Sequence, residues 1–153
     1  MRSQFKLLLF GALLLPGVFF GNSVAAKVGL VDLNNGAVLD ITTGLVWQKS
    51  RNPLSVDWNS AVEYCDNLDL AGHTNWRLPS VKEIETLYDD RQISPIIDVG
   101  FFPDAVTGRY WTGTSKFLQP GSVEAWVVIM NYGSTELKEE SIANYIAKCV
   151  TDS

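Results

Sequence analysis

The chain has 153 residues, with 12 Lys and Arg against 17 Asp and Glu, one histidine and two cysteines. An acidic balance argues against nonspecific attachment to nucleic acid or anionic membranes. A single histidine excludes a metal cluster built on several imidazoles and any mechanism that needs two of them.

The N-terminus reads as an address label. Arg2 and Lys6 precede an apolar run over residues 7–20, broken only by Gly11, Pro16 and Gly17, and small residues follow at Ser23, Ala25 and Ala26. Charged, apolar and small-residue regions in that order form the secretory pattern, whereas a bilayer span takes about 20 apolar residues. The expectation is a signal peptide over residues 1–26 and one exported domain over residues 27–153, periplasmic or secreted, with no membrane insertion after cleavage. The exported part keeps 10 basic and 17 acidic residues, a formal charge of −7. In an oxidising compartment Cys65 and Cys149 are expected to bridge; two free thiols are the alternative.

Residues 27–33 read as a strand, and Asn34-Asn35-Gly36 carries a two-residue turn signal leading to a partner strand at residues 37–40. A second turn at residues 40–44, with the Asp40 carboxylate accepting from backbone N–H groups, leads to a strand at residues 45–47. Between residues 55 and 70, Trp58, Ala61, Val62, Cys65 and Leu68 fall on one helical face, with Asp57 or Ser55 as cap. Ser80 and Glu83 have the spacing of a capping box, which opens a second helix with Ile84, Leu87 and Tyr88 on its apolar side. Residues 89–108 lack periodicity and predict a long packed loop. A strand starts at Tyr110, a turn follows at residues 119–121, and residues 123–132 form a strand that is apolar on both faces and is expected to be the most buried. Residues 142–150 close the domain and deliver Cys149 to the first helix.

These residues carry a resemblance. Asp40-x-x-x-Gly44-Leu45-x-Trp47, Trp58-x-x-Ala61-x-x-Tyr64-Cys65, Ala71-Gly72-His73-x-x-Trp76-Arg77-Leu78-Pro79, Tyr110-Trp111 and Lys148-Cys149-Val150 stand in the order of a bacterial family of unknown function. That family is typified by the C-terminal domain of the Legionella collagen-like adhesin. The resemblance implies an α+β fold similar to C-type lectins, with two helices packed on small twisted antiparallel sheets. Residues 77–83 also resemble a motif of formylglycine-generating enzymes, which share that fold. Two departures stand out: Lys148 occupies a position where the family usually has Arg, and the adhesin's association with sulfated glycosaminoglycans does not suit a charge of −7.

No catalytic constellation, cofactor or metal site is legible. His73 reads as a hydrogen-bonded loop residue. Arg77, between Trp76 and Leu78, is expected in a buried pair with a carboxylate or backbone carbonyls, with anion binding as the alternative. Asp66, Asp69, Asp89, Asp90, Asp98 and Asp104 lack the spacing of a calcium loop and read as a solvated acidic surface. Trp47, Trp58, Trp76 and Trp126 sit in apolar patterns and are expected in the core, whereas Trp111 is the one expected at the surface. The function expected is a non-catalytic exported module that binds a glycan or cell-envelope polysaccharide, as in adhesion, through neutral contacts from Tyr110, Trp111, Asn131 and Tyr132. A structural or protein-interaction component of an envelope complex is the alternative.

Overall fold

A computed structural model describes residues 29–119, 122–141 and 145–153. The expected signal peptide, most of the turn at residues 119–121 and the first part of the expected closing strand lie outside the described residues. The fold is α+β and mostly sheet.

The first sheet begins with β1 (Leu30–Asp32), β2 (Ala37–Asp40) and β3 (Leu45–Gln48). The loop joining β1 to β2 is longer than a two-residue turn: Leu33 N–H donates to the Ala37 carbonyl at 3.0 Å. Its left-handed residues, Asn34 at φ 57° and Gly36 at φ 92°, are separated by Asn35, whereas a type I′ turn needs two in succession. The turn into β3 is the expected one. Asp40 Oδ1 accepts from Thr42 N–H at 2.9 Å, and Gly44, at φ 75°, donates to the Asp40 carbonyl at 2.8 Å. A β-carbon is disfavoured at that φ, which is why the position takes glycine.

The first helix is shorter than the apolar spacing suggests. Ser55–Val56 forms a short strand, β4, and α1 covers Trp58–Asp66 behind an Asp57 cap whose Oδ1 accepts from Ser60 N–H at 2.8 Å. The second helix, α2 (Val81–Glu85), carries both halves of the capping box. Residues 89–108 have no regular element but are pinned: Asp89 N–H donates to the Ile96 carbonyl, and Ile96 N–H to the Met130 carbonyl. Phe102 is fully buried. Asp89 and Asp98 are buried too, which corrects the solvated acidic surface expected of them. Their carboxylates fold back on their own loop, Asp89 onto Arg91 and Asp98 onto the Gly100 N–H.

The remaining strands are β5 (Arg109–Gln119), β6 (Ser122–Ile129), β7 (Ser134–Glu139), β8 (Tyr145–Ile146) and β9 (Val150–Asp152). The closing strand is thus two strands in two sheets. The first sheet runs β1-β2-β3-β9, and the second β4-β8-β5-β6-β7. Pairing is antiparallel except between β8 and β5, which are parallel, a departure from the purely antiparallel sheets expected. Consecutive strand residues face opposite ways, so β5 sends Tyr110 into one apolar cluster, with Trp47, Phe102 and Leu87, and Trp111 into another, with Trp76, Cys65 and Cys149. Val128 and Val127 of β6 divide in the same way. The strand with every side chain buried is nevertheless β3, because β2 and β9 flank it on both edges, while Glu124 and Trp126 of β6 keep partial exposure.

The Cys65–Cys149 disulfide joins α1 to the segment between β8 and β9, closing a loop with a sequence separation of 84. A crosslink over a loop of that length restricts the unfolded chain by about 4–5 kcal/mol in the chain-entropy account. Urea unfolding with and without reductant is expected to show a loss of that order. An unchanged midpoint after verified reduction would contradict it.

Candidate functional site

The motif residues are occupied in holding the chain to itself. Trp58 Nε1–H donates to the Thr112 carbonyl at 2.8 Å, Trp76 Nε1–H to the His73 carbonyl at 2.9 Å, and Trp111 Nε1–H to the Val56 carbonyl at 2.8 Å. His73 exchanges backbone hydrogen bonds with Leu70 and meets the Trp76 ring edge-on. The Pro79 carbonyl accepts from Gly113 N–H at 2.8 Å. The Trp58 and Trp111 indoles each tie one element to the backbone of another, and Trp76 closes its own loop, which satisfies each donor while fixing a distance. The motif is a signature of the fold.

Arg77 is paired as expected but is not buried: its side chain is 42% exposed. Its guanidinium grips Glu83 at both oxygens, at 2.9 and 2.7 Å, and Glu83 also accepts from Ser80 N–H at 2.7 Å. The Arg77 contact, helped by the Ser80 bonds, draws the Glu83 carboxyl down to about 2. Its unfolded value lies near 4.5, so this stabilisation is fully present above that value and is lost as pH falls towards 2. Glu83→Gln is expected to flatten the acid limb of a stability–pH profile, and Ser80→Ala to cost about 1 kcal/mol at neutral pH. A profile unaltered by Glu83→Gln would contradict the assignment.

The four residues expected at the ligand surface are not brought together. Tyr110 and Trp111 are 1% and 0% exposed, on opposite faces of β5 with a packed cluster over each. The Tyr110 hydroxyl is saturated by the Val106 backbone. Neither ring can stack on a ligand. Asn131 Oδ1 accepts from Gly108 N–H at 3.0 Å and so braces a loop. Only Tyr132 stands out in solvent. The expectation for the tryptophans fails at three positions, since Trp111 is fully buried while Trp58 and Trp126, expected in the core, are partly exposed. Trp111→Ala is expected to lose about 3–5 kcal/mol of stability; a variant with wild-type urea midpoint would contradict that.

Trp126 lines a cleft of about 370 Å³ with Ser80, Val81, Lys82, Glu85, Thr114 and Thr135. The volume falls in the range of small-ligand pockets. The start of α2 forms one wall, and side chains from β5, β6 and β7 form the floor and far wall. Ile84 of α2 joins the cluster that holds Val128, while Val81, Lys82 and Glu85 of the same helix line the opening at Trp126, which stays partly exposed. Among the described residues Trp126 Nε1–H donates to none, and the ring lies beside threonine and serine hydroxyls. The two charges in the cleft cancel, since Lys82 Nζ meets Glu85 at 2.7 Å. Two of the first three backbone donors of α2 are spent, Val81 N–H on Thr114 Oγ1 and Glu83 N–H on Ser80 Oγ. The cleft therefore offers an aromatic face, an indole donor and hydroxyls, with little to hold an anion. No group of three or more His, Cys, Asp or Glu among the described residues could hold a metal ion.

A sequence profile of the Lcl C-terminal domain matches residues 36–151. The chain belongs to the Lcl C-terminal domain family. The matched span starts at the loop before β2 and ends in β9, so it takes in both helices, the disulfide and the Trp126 cleft. No curated protein matches the chain. Among the described residues no helix is long and apolar enough to cross a membrane.

Proposed function

We propose that this Lcl C-terminal domain is an exported, non-catalytic binding module of C-type-lectin-like architecture that takes a neutral glycan, such as a cell-envelope polysaccharide, in the cleft over Trp126. One observation carries the reading: a partly exposed indole whose N–H donates to no described residue, beside the hydroxyls of Ser80, Thr114 and Thr135 and a self-neutralised ion pair. Sugars present apolar C–H faces and a rim of hydroxyls, which an aromatic ring and neutral hydrogen-bonding groups complement. The excess of acidic over basic residues disfavours sulfated polymers for the same reason. Export accords with the leader-like residues 1–26 and with the disulfide, which persists in an oxidising compartment.

A protein-facing role has one observation in its favour. Ile93 and Tyr132 are 91% and 70% exposed, on two loops joined by the Ile96–Met130 hydrogen bond. That end of the domain shares no lining residue with the cleft.

Calorimetric titration against a panel of neutral oligosaccharides separates the two readings. Trp126→Ala is expected to stay folded and to lose at least about tenfold in affinity, about 1.4 kcal/mol, while added salt changes wild-type binding little. Undiminished affinity in folded Trp126→Ala, or binding that collapses with salt, would remove the cleft from the account. Absence of any glycan binding, together with crosslinks to an envelope protein through the Tyr132 loop, would favour the second reading.

A further inference from the structure

A buried charge lies away from the cleft. Lys148 is 4% exposed, beside the disulfide, on the segment between β8 and β9. Its Nζ donates to the Lys49 carbonyl at 3.0 Å and sits 4.4 Å from the centre of the Phe102 ring. An ammonium has three protons to donate, and the structure gives this one a single acceptor and one aromatic face. Across from it is Asp104, on the loop that carries Phe102. Asp104 Oδ2 accepts from Arg51 N–H at 2.8 Å, and its backbone carbonyl accepts from Arg51 Nε at 3.1 Å. Asp104 Oδ1 is buried and has no hydrogen-bond partner among the described residues. A buried carboxylate oxygen without a donor and a buried ammonium short of acceptors are each unfavourable alone and complementary together.

We propose that Lys148 and Asp104 form a proton switch: acidification makes Lys148 an ammonium that its one acceptor and the Asp104 oxygen only partly compensate in the buried site, which loosens the Phe102–Asp104 loop from the strand end at Lys49, and alkalinisation neutralises Lys148 and lets that loop close.

The surroundings set where the switch works. Burial is the main influence and lowers the affinity of Lys148 for its proton, Asp104 opposes that, and Arg51 adds to it, leaving Lys148 at about 7. The other ionisable groups facing this region are Lys49, whose ammonium is paired with Asp32, and Tyr110, whose hydroxyl is bonded to Val106. Neither adds a carboxylate. Because the ordinary lysine value is 10.5, the unfolded chain binds this proton more tightly than the folded one. The stability from this group is therefore fully present above 10.5 and is lost as pH falls towards 7.

The test follows the Lys148 side chain directly by NMR in the purified protein carrying isotope-labelled lysine, from mildly acid to alkaline pH. The expected midpoint lies near 7. Asp104→Asn is expected to lower the Lys148 midpoint by about one pH unit, a tenfold loss of proton affinity. In the wild type, amide exchange at Phe102 and Ala105, corrected for its intrinsic pH dependence, should accelerate as the pH falls through the midpoint. A Lys148 midpoint at the ordinary lysine value of 10.5, an unmoved midpoint in Asp104→Asn, or loop exchange indifferent to the midpoint would each overturn the switch. If Asp104→Asn does not fold, the wild-type midpoint and loop exchange decide the question by themselves.

Discussion

The fold depends on one short stretch of chain belonging to both sheets at once. Tyr145–Ile146 lies between β4 and β5 in the second sheet, and after only three intervening residues Val150–Asp152 pairs with β3 in the first. Between them Cys149 is bonded to α1, and Val150 exchanges two backbone hydrogen bonds with Arg77. Gln48 grips the same segment from β3, its backbone N–H on the Cys149 carbonyl and its side-chain oxygen on the Cys149 N–H. A crosslink at this point restricts both sheets and α1 together, which is more than its loop length alone conveys. It also explains a buried lysine beside the bridge: the backbone geometry on either side is already fixed, and Lys148 fills the gap between the β3 end and Phe102.

That constraint decides where a ligand can and cannot go. With β8 held against β5, the Trp111 ring is packed edge-on to Tyr145 and its N–H is bonded to Val56. Tyr110, one residue earlier, is pressed into the other cluster. The aromatic pair that stands out in the sequence is thus the most immobilised part of the second sheet. Open aromatic surface is left at Trp126, beside the five-residue helix α2. The capping box and the Arg77–Glu83 clamp matter for the cleft because they hold this short helix in place over the sheet; a helix of five residues has little stability of its own.

Much of the architecture was legible in the residues because local chemistry specified it. Asp40 and Gly44 announced their turn, Ser80 and Glu83 their capping box, and an even pair of cysteines behind a leader-like segment announced the bridge. The errors share a cause, which is that long-range pairing overrides local pattern. Ser55 and Val56 look like the start of a helix, yet they pair with Ile146 and Tyr145, which lie some ninety residues away. Residues near Cys149 look like one strand but divide between sheets. Tyr110-Trp111 looked accessible because it borders a long irregular loop, but residues 89–108 fold over it and bring Phe102 into the core. The exposure of Trp126 could not be read from its alternating neighbours. It depends on how a helix forty residues earlier in the chain sits beside it. The one available signal was that Trp126 shares its strand face with Glu124, a residue that does not belong in a core.

The claim that matters most is that the Trp126 cleft, and no other aromatic surface, is where this domain meets its ligand. Its most direct test is a map of NMR shifts as an isotope-labelled sample is titrated with a neutral oligosaccharide selected from a panel. The account predicts that the Trp126 indole N–H and the Thr114 and Thr135 amides move first and saturate together, while the Trp111 indole N–H stays in place. Shifts centred on Tyr132 and Ile93, with the Trp126 indole unmoved at saturation, would contradict it.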